Sequence, residues 1–233
     1  MLYESGNGDQ GKTDELLFRG LLELGITNPG KKADELISYI NEIETFNPAY
    51  GLVKVRDRRE LIVKHILDSV APFSLVHGGE SPLVADKVAD MVADAGSGAG
   101  LPGIPLAICF PGKKFTLIER MGRRAGFLQN CTAVLGLNNA AVEETEIERA
   151  APGRFDLVVF RAFRPLEEPI LKALFRLLKP GAKLAAWKGR YAKAKDEMLA
   201  AENALPDIIW EIVPVKVPFL EEERCLVVIK EKL

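Results

Sequence analysis

Glycines at 96, 98, 100 and 103 follow closely on an acidic residue in Asp94-Ala95-Gly96-Ser97-Gly98-Ala99-Gly100-Leu101-Pro102-Gly103-Ile104-Pro105. Glycine loses more backbone freedom on folding than any other residue, so such a turn is kept where something must come close to the main chain. Met91-Val92-Ala93 leads in and Leu106-Ala107-Ile108-Cys109-Phe110 leads out. Strand, glycine turn and helix in that order form the cradle that open α/β sheets offer to adenosine-containing cofactors.

The turn admits two cofactors. Gly98-x-Gly100-x-x-Gly103 fits the dinucleotide fingerprint, and Glu119 lies about 20 residues on, where a ribose-binding acid belongs. Yet Pro102 and Pro105 occupy the start of the helix and remove N–H donors that a pyrophosphate needs. Asp94-x-Gly96-x-Gly98-x-Gly100 is instead the pattern of S-adenosylmethionine enzymes, whose ligand has no phosphate. The turn therefore favours S-adenosylmethionine over NAD, with Asp94, Gly96, Gly98 and Gly100 as candidate contacts and Glu119 at the ribose.

Further along, Val142-Glu143-Glu144-Thr145-Glu146-Ile147-Glu148 could present carboxylate and backbone groups to an adenine edge. Arg161 ends the strongest apolar strand, where open sheets place their sites; a structural ion pair is its competing role. His65 falls on an apolar helix face and reads as a core histidine. The segment after Arg161 lacks the Asp/Asn-Pro-Pro-aromatic pattern used for adenine amino groups, and no Pro-Cys nucleophile is present for cytosine carbon. An acceptor that is already nucleophilic fits that absence. Guanine N7 carries a free lone pair and loses no proton, so catalysis would be largely positioning and no general base is expected.

Basic residues cluster at Lys54–Lys64, at Arg120, Arg123 and Arg124, and at Lys188–Lys195. From these, Arg56, Lys64, Arg123, Arg124 and Lys188 are candidate RNA contacts on a phosphate-binding rim. The net charge is −2, so RNA contact must come from such a local rim rather than from a global field.

These residues need elements to position them. Leu16–Leu24, Leu36–Ile43 and Leu61–Val70 show apolar residues at helical spacing, and 1–12 is expected to be disordered. Beyond the connection 73–87, strands are expected at 91–95, 115–119, 140–142, 155–160, 183–187, 208–215 and 225–229. Helices are expected at 103–110, 122–135, 166–178 (closed by Pro180-Gly181) and 192–204. Alternation predicts a mostly parallel seven-stranded sheet, and the last two strands, with no helix between them, an antiparallel hairpin.

The 233 residues are 48% hydrophobic and 27% charged, ordinary for a soluble globular chain. Cys109, Cys131 and Cys225 are scattered in apolar segments, which suggests reduced thiols in a cytoplasmic protein. With only His65 and His77 beside them, no metal site is expected. Neither a signal peptide nor a membrane span is expected.

The chain resembles the RsmG (GidB) methyltransferases from about residue 36 onward. The resemblance rests on Asp94–Ile108, above all Leu101-Pro102-Gly103-Ile104-Pro105, on Val55-Arg56-Asp57 with Val63–Ser69, and on Arg161-Ala162, Lys188-Gly189 and Glu223–Lys230. The family's Tyr-Asn-Leu-Thr reads Tyr50-Gly51-Leu52-Val53 here. The resemblance implies a class I S-adenosylmethionine-dependent, Rossmann-like α/β fold over 88–233, preceded by a helical region over 1–72. It implies methyl transfer to guanine N7 of 16S ribosomal RNA, free or in a small-subunit particle. It also implies cofactor contacts at Gly96, Leu101, Glu146, Ile147 and Arg161. The protein is expected to be a monomer. A methyltransferase of the same fold acting on a small molecule or protein, and a non-enzymatic ribosome-binding module, are the alternatives.

Overall fold

The structure, a computed structural model, describes residues 7–73, 89–161 and 165–232, with the side chains of 7–10 left aside. The expected connection 73–87 (beyond residue 73), the first six residues, His77 and Ala162-Phe163-Arg164 lie outside the described residues.

Among the described residues, three helices precede the sheet. Helix α1, Asn7–Glu23, begins inside the stretch expected to be disordered. Helix α2, Pro29–Tyr50, starts with proline in its first turn, where the missing N–H costs nothing, and stops at Gly51 (φ 59°). Arg58–Leu61, Ile62–Leu67 and Asp68–Val70 run on as one helix, α3, whose middle segment is π-helical. Its start is fixed by the Asp57 carboxylate, which accepts from the Glu60 amide at 2.7 Å, while Glu60 reaches back to the Arg56 amide at 2.8 Å.

The sheet follows: β1 Met91–Ala95, α4 Gly103–Cys109, β2 Lys114–Glu119, α5 Gly122–Val134, β3 Ala140–Glu144, β4 Phe155–Arg161, α6 Glu168–Leu177, β5 Leu178–Lys188, α7 Tyr191–Ala204, β6 Ile208–Val215 and β7 Arg224–Glu231. The strand order is β3-β2-β1-β4-β5-β7-β6. Strand β7 runs antiparallel to both β5 and β6; the other pairings are parallel. This is the expected seven-stranded sheet with its antiparallel C-terminal pair.

Alternation along the strands builds two cores. Val92, Leu117, Leu157, Val159, Ala185, Trp187, Leu226 and Val228 share one with the buried faces of α1–α5. Ala93, Ile118, Val158, Phe160, Leu184, Ala186, Val227 and Ile229 share the other with α6 and α7. The N-terminal helices therefore lie in the same core as the sheet face that carries the glycine turn.

One boundary differs from expectation. Pro180-Gly181 does not separate helix from strand but lies inside β5. Phe155 pairs with Leu178 and Leu157 with Lys183, so the intervening residues bulge out, with Gly181 at φ 75°.

Candidate active site

The glycine turn closes the C-terminal end of β1. Gly96 is exposed at φ 71°, and Gly98 is half-buried at φ 59°; a side chain at either would be strained by the backbone alone. Gly100 and Gly103 serve packing. A Cβ on Gly100 would come within 2.6 Å of Ile104 Cδ1, and one on Gly103 would run into Leu117 and the Asp94 carboxylate. Both backbone groups of Gly100 are engaged, its amide on the Ser97 carbonyl and its carbonyl by the Ile104 amide. Leu101 is buried in the core, and its amide donates to the Ser97 carbonyl at 3.2 Å.

Asp94 is buried beneath the turn. Its Oδ2 accepts from Ser97 Oγ at 2.7 Å and from the Gly103 amide at 2.9 Å; its Oδ1 has no partner among the described residues. Burial pushes its pKa up to about 6, against the pull of those two hydrogen bonds and of Arg161. A buried carboxylate with one bare oxygen suits a cationic neighbour and repels a phosphate. The residues present thus fit a sulfonium nucleoside with an ammonium group.

Glu119 ends β2 and is only 4% exposed, so it is no solvated strand-end charge. Oε2 accepts from the Gly98 amide at 2.9 Å and Oε1 from the Met121 amide at 2.8 Å. A carboxylate has about four lone-pair sites, so it keeps capacity for two hydroxyls. Past β3, Ile147 is buried in the same core as Ala95 and Ile118, and Glu146 is half-buried with its carboxylate on Arg149 at 3.3 Å.

Arg161 does what its competing role expects. Nη1 donates to Asp68 Oδ2 at 3.0 Å and to the Lys64 and His65 carbonyls at 3.2 and 3.4 Å; Nη2 lies 3.0 Å from His65 Nδ1. Arg224 Nε holds the other Asp68 oxygen at 3.0 Å, and the Trp187 indole N–H is shared by the Asp68 and Ser69 carbonyls at 3.1 and 3.2 Å. Burial raises the Asp68 pKa in spite of both guanidiniums. Three strand ends, β4, β5 and β7, are thereby tied to one helical segment.

A cavity of about 930 Å³ opens beside this network, at the C-terminal ends of β4 and β5. His65, Asp68, Arg161, Pro165, Trp187 and Lys188 are among its walls. The β1–β4 register pairs Asp94 with Val159, so continuing it two residues puts Arg161 level with Gly96. The cavity and the glycine turn are therefore neighbours along the same sheet edge.

His65 corrects the sequence reading, which made it a core histidine. It is half-buried on the cavity wall, because the π-helical turn places it opposite Arg161. Tyr39, Asp68, Trp187 and Arg224 were missed altogether. For His65, Asp68 and Arg224 the signal was their place inside the segments on which the family resemblance rests.

The basic residues divide. Arg56 pairs with Glu60 at 3.2 Å, Lys64 with Glu222 at 2.7 Å and Glu60 at 3.2 Å, and Lys188 with Glu197 at 2.8 Å. No described carboxylate pairs with Arg123 or Arg124; the Arg123 guanidinium lies 5.5 Å from the centre of the Tyr50 ring. Arg190 and Lys193, on the cavity wall, are likewise outside any ion pair of the described residues. Cys109, Cys131 and Cys225 are free, buried thiols. No group of three or more metal-ligating side chains occurs, and no helix is long and apolar enough to cross a membrane, among the described residues.

A solved S-adenosylmethionine-dependent methyltransferase from Aquifex aeolicus shares the fold, with TM-score 0.54 and 18% identity over 82% of this chain and 97% of that one. The Treponema denticola ribosomal RNA small subunit methyltransferase G is 36% identical over 242 residues, covering 93% of this chain and 94% of its own. The protein of the same name from Cellvibrio japonicus is 35% identical over 215 residues, covering 92% and 93%. The GidB family model, rRNA small subunit methyltransferase G, matches residues 32–227. The fold is the class I methyltransferase fold, and the chain belongs to the rRNA small subunit methyltransferase G family.

Proposed function

We propose that this protein transfers a methyl group from S-adenosylmethionine to N7 of a guanine in 16S ribosomal RNA. The observation that carries the proposal is the pairing of a phosphate-averse turn, with the bare Oδ1 of Asp94 beneath it, and an open cavity at the next strand ends. S-adenosylmethionine, when bound, supplies a methyl on a positively charged sulfur.

The chain's own residues do the rest. Gly96 and Gly98 let the main chain approach the cofactor, and Gly100 and Leu101 keep the turn packed. Asp94 faces the cationic end. Glu119, held by two amides, accepts from the ribose hydroxyls. Ile147 anchors the loop after β3 in the core, and that loop's backbone groups and the Glu146 carboxylate face the adenine edge. Arg161 fixes the cavity wall between cofactor and acceptor. Guanine N7 loses no proton on methylation, so the reaction needs alignment of nucleophile and methyl rather than a base. Arg123, Arg124, Arg190 and Lys193 guide the RNA backbone; Arg56, Lys64 and Lys188 contribute less, being neutralised already. The protein acts as a cytoplasmic monomer on free 16S RNA or on the small-subunit particle.

The test is transfer of labelled methyl into small-subunit RNA and particles from cells lacking the protein, followed by nucleoside analysis. Label in 7-methylguanosine is the expected result. No label in either preparation overturns the proposal.

A further inference from the structure

His65 lies in the π-helical middle of α3, on the wall of the 930 Å³ cavity. Single π turns interrupt helices at a cost and concentrate at functional sites. Here the turn presents the imidazole to Arg161, whose Nη2 is 3.0 Å from Nδ1. A guanidinium only donates, so Nδ1 must accept and the ring proton sits on Nε2. Nε2 has no hydrogen-bond partner among the described residues. Burial first, then Arg161, holds the pKa down at about 4, so the ring is neutral near pH 7. The structure thus sets one histidine in one tautomer, with one N–H to offer.

We propose that His65 is the specificity-determining residue for the acceptor base: its Nε2–H donates to O6 of the guanine whose N7 takes the methyl. This rests on the guanine-N7 reading above. The Hoogsteen edge of guanine shows two acceptors side by side, N7 and O6; adenine shows an acceptor at N7 and a donor at N6. A single N–H beside the methylation site therefore welcomes guanine and meets adenine donor to donor. A site built to bond one group strongly rejects the analogue that lacks it. A neutral donor also leaves the cationic product base unrepelled, which a protonated histidine would not.

Two variants separate this role from a structural one. In His65→Asn the amide oxygen can replace Nδ1 as acceptor for Arg161, but no donor reaches the Nε2 position. In His65→Gln an amide N–H stands near that position. Small-subunit RNA is rebuilt with guanosine or with 2-aminopurine, which keeps N7 and lacks O6, at the nucleotide labelled by the unaltered protein. Methyl transfer is then measured at saturating S-adenosylmethionine. The unaltered protein should prefer guanosine by about tenfold or more. His65→Asn should treat the two bases alike at the slower rate, with unchanged cofactor Kd and Tm, and His65→Gln should restore most of the preference. If the unaltered protein labels guanine but His65→Asn keeps the full preference, the His65 assignment is overturned alone. If the unaltered protein labels no guanine, the guanine-N7 reading falls and takes this assignment with it.

Discussion

The Tyr39 hydroxyl donates a hydrogen bond to the carbonyl oxygen of Ala99, joining α2 to the glycine turn across 60 residues of chain. Both groups are buried, and burial raises the phenol pKa well above its usual value, so the hydroxyl stays a neutral donor. The N-terminal helices thus set the position of the turn as well as covering the sheet. Tyr39→Phe keeps the ring in place and leaves the Ala99 carbonyl unpaired. An unpaired buried acceptor costs about 1–3 kcal/mol. Part of that loss should reach the cofactor, weakening S-adenosylmethionine by about threefold to tenfold in calorimetric titration while RNA affinity is unchanged. Unaltered cofactor affinity would show that the turn holds its shape without α2.

Asp94 predicts an acid limit on cofactor binding. Its pKa in the free protein is raised to about 6, chiefly by burial, with Ser97, the Gly103 amide and Arg161 opposing and Glu119 assisting. The folded value exceeds the unfolded one, so the stability this group contributes is full below about pH 4 and is lost as pH rises through about 6. A cationic ligand reverses the preference by favouring the ionised carboxylate. Cofactor Kd should therefore be about tenfold weaker at pH 5 than at pH 7. Asp94→Asn should bind weakly with a flat profile over that range. A flat profile in the unaltered protein would remove Asp94 from contact with the cationic end.

The Asp68 network predicts an order among three substitutions. Asp68 is shared by Arg161 and Arg224, and the side chains of Asp68 and Arg161 are 8% and 13% exposed. Removing the carboxylate leaves two guanidiniums near one another without their shared counter-charge, an arrangement that costs about 3–5 kcal/mol. Asp68→Ala should destabilise the protein most in urea unfolding, Arg161→Ala next, and Arg224→Ala least, because its side chain is the most solvated at 21%. In the double variant Asp68→Ala/Arg224→Ala the losses should add to less than their sum. Simple additivity would mean that Arg224 and Asp68 are neighbours without coupling.

How far all this could be read from the chain depends on the range of the interaction. The strands around the site were legible because inward and outward residues alternate or run apolar through the sheet, as Phe155–Phe160 does. The glycine turn was legible because Gly96, Gly98, Gly100 and Gly103 are local requirements of one short loop. Pro180-Gly181 was misread because the same dipeptide that ends a helix also makes a bulge, and only pairing with β4 tells them apart. The π turn in α3 leaves the apolar spacing of Ile62, Ile66 and Val70 helical, so His65 looked inward. Asp68 and Arg224 are 156 residues apart, and no periodicity links them. The ion pairs of the rim were hidden for a related reason: Lys64 meets Glu222 only in three dimensions.

That rim yields the last prediction. Lys64 already has two carboxylates and Arg56 and Lys188 one each, so RNA phosphate would have to displace an existing partner. Arg123 and Arg124 have no such partner among the described residues. They follow the C-terminal end of β2, next to the turn. Their neutralisation by phosphate releases counterions without breaking a pair, so they should carry the salt dependence of RNA binding. Arg123→Glu with Arg124→Glu should weaken binding at low salt by tenfold or more and lower the slope of log affinity against log salt by about 1 to 2. Arg56→Gln with Lys188→Gln should change the slope by less than half as much. The check is filter binding across a salt series, with cofactor affinity as the control for folding. Equal slopes in the two pairs would mean that the ion pairs at Arg56 and Lys188 open on RNA contact, and the path of the RNA would then have to be drawn along α3 as well as along α5.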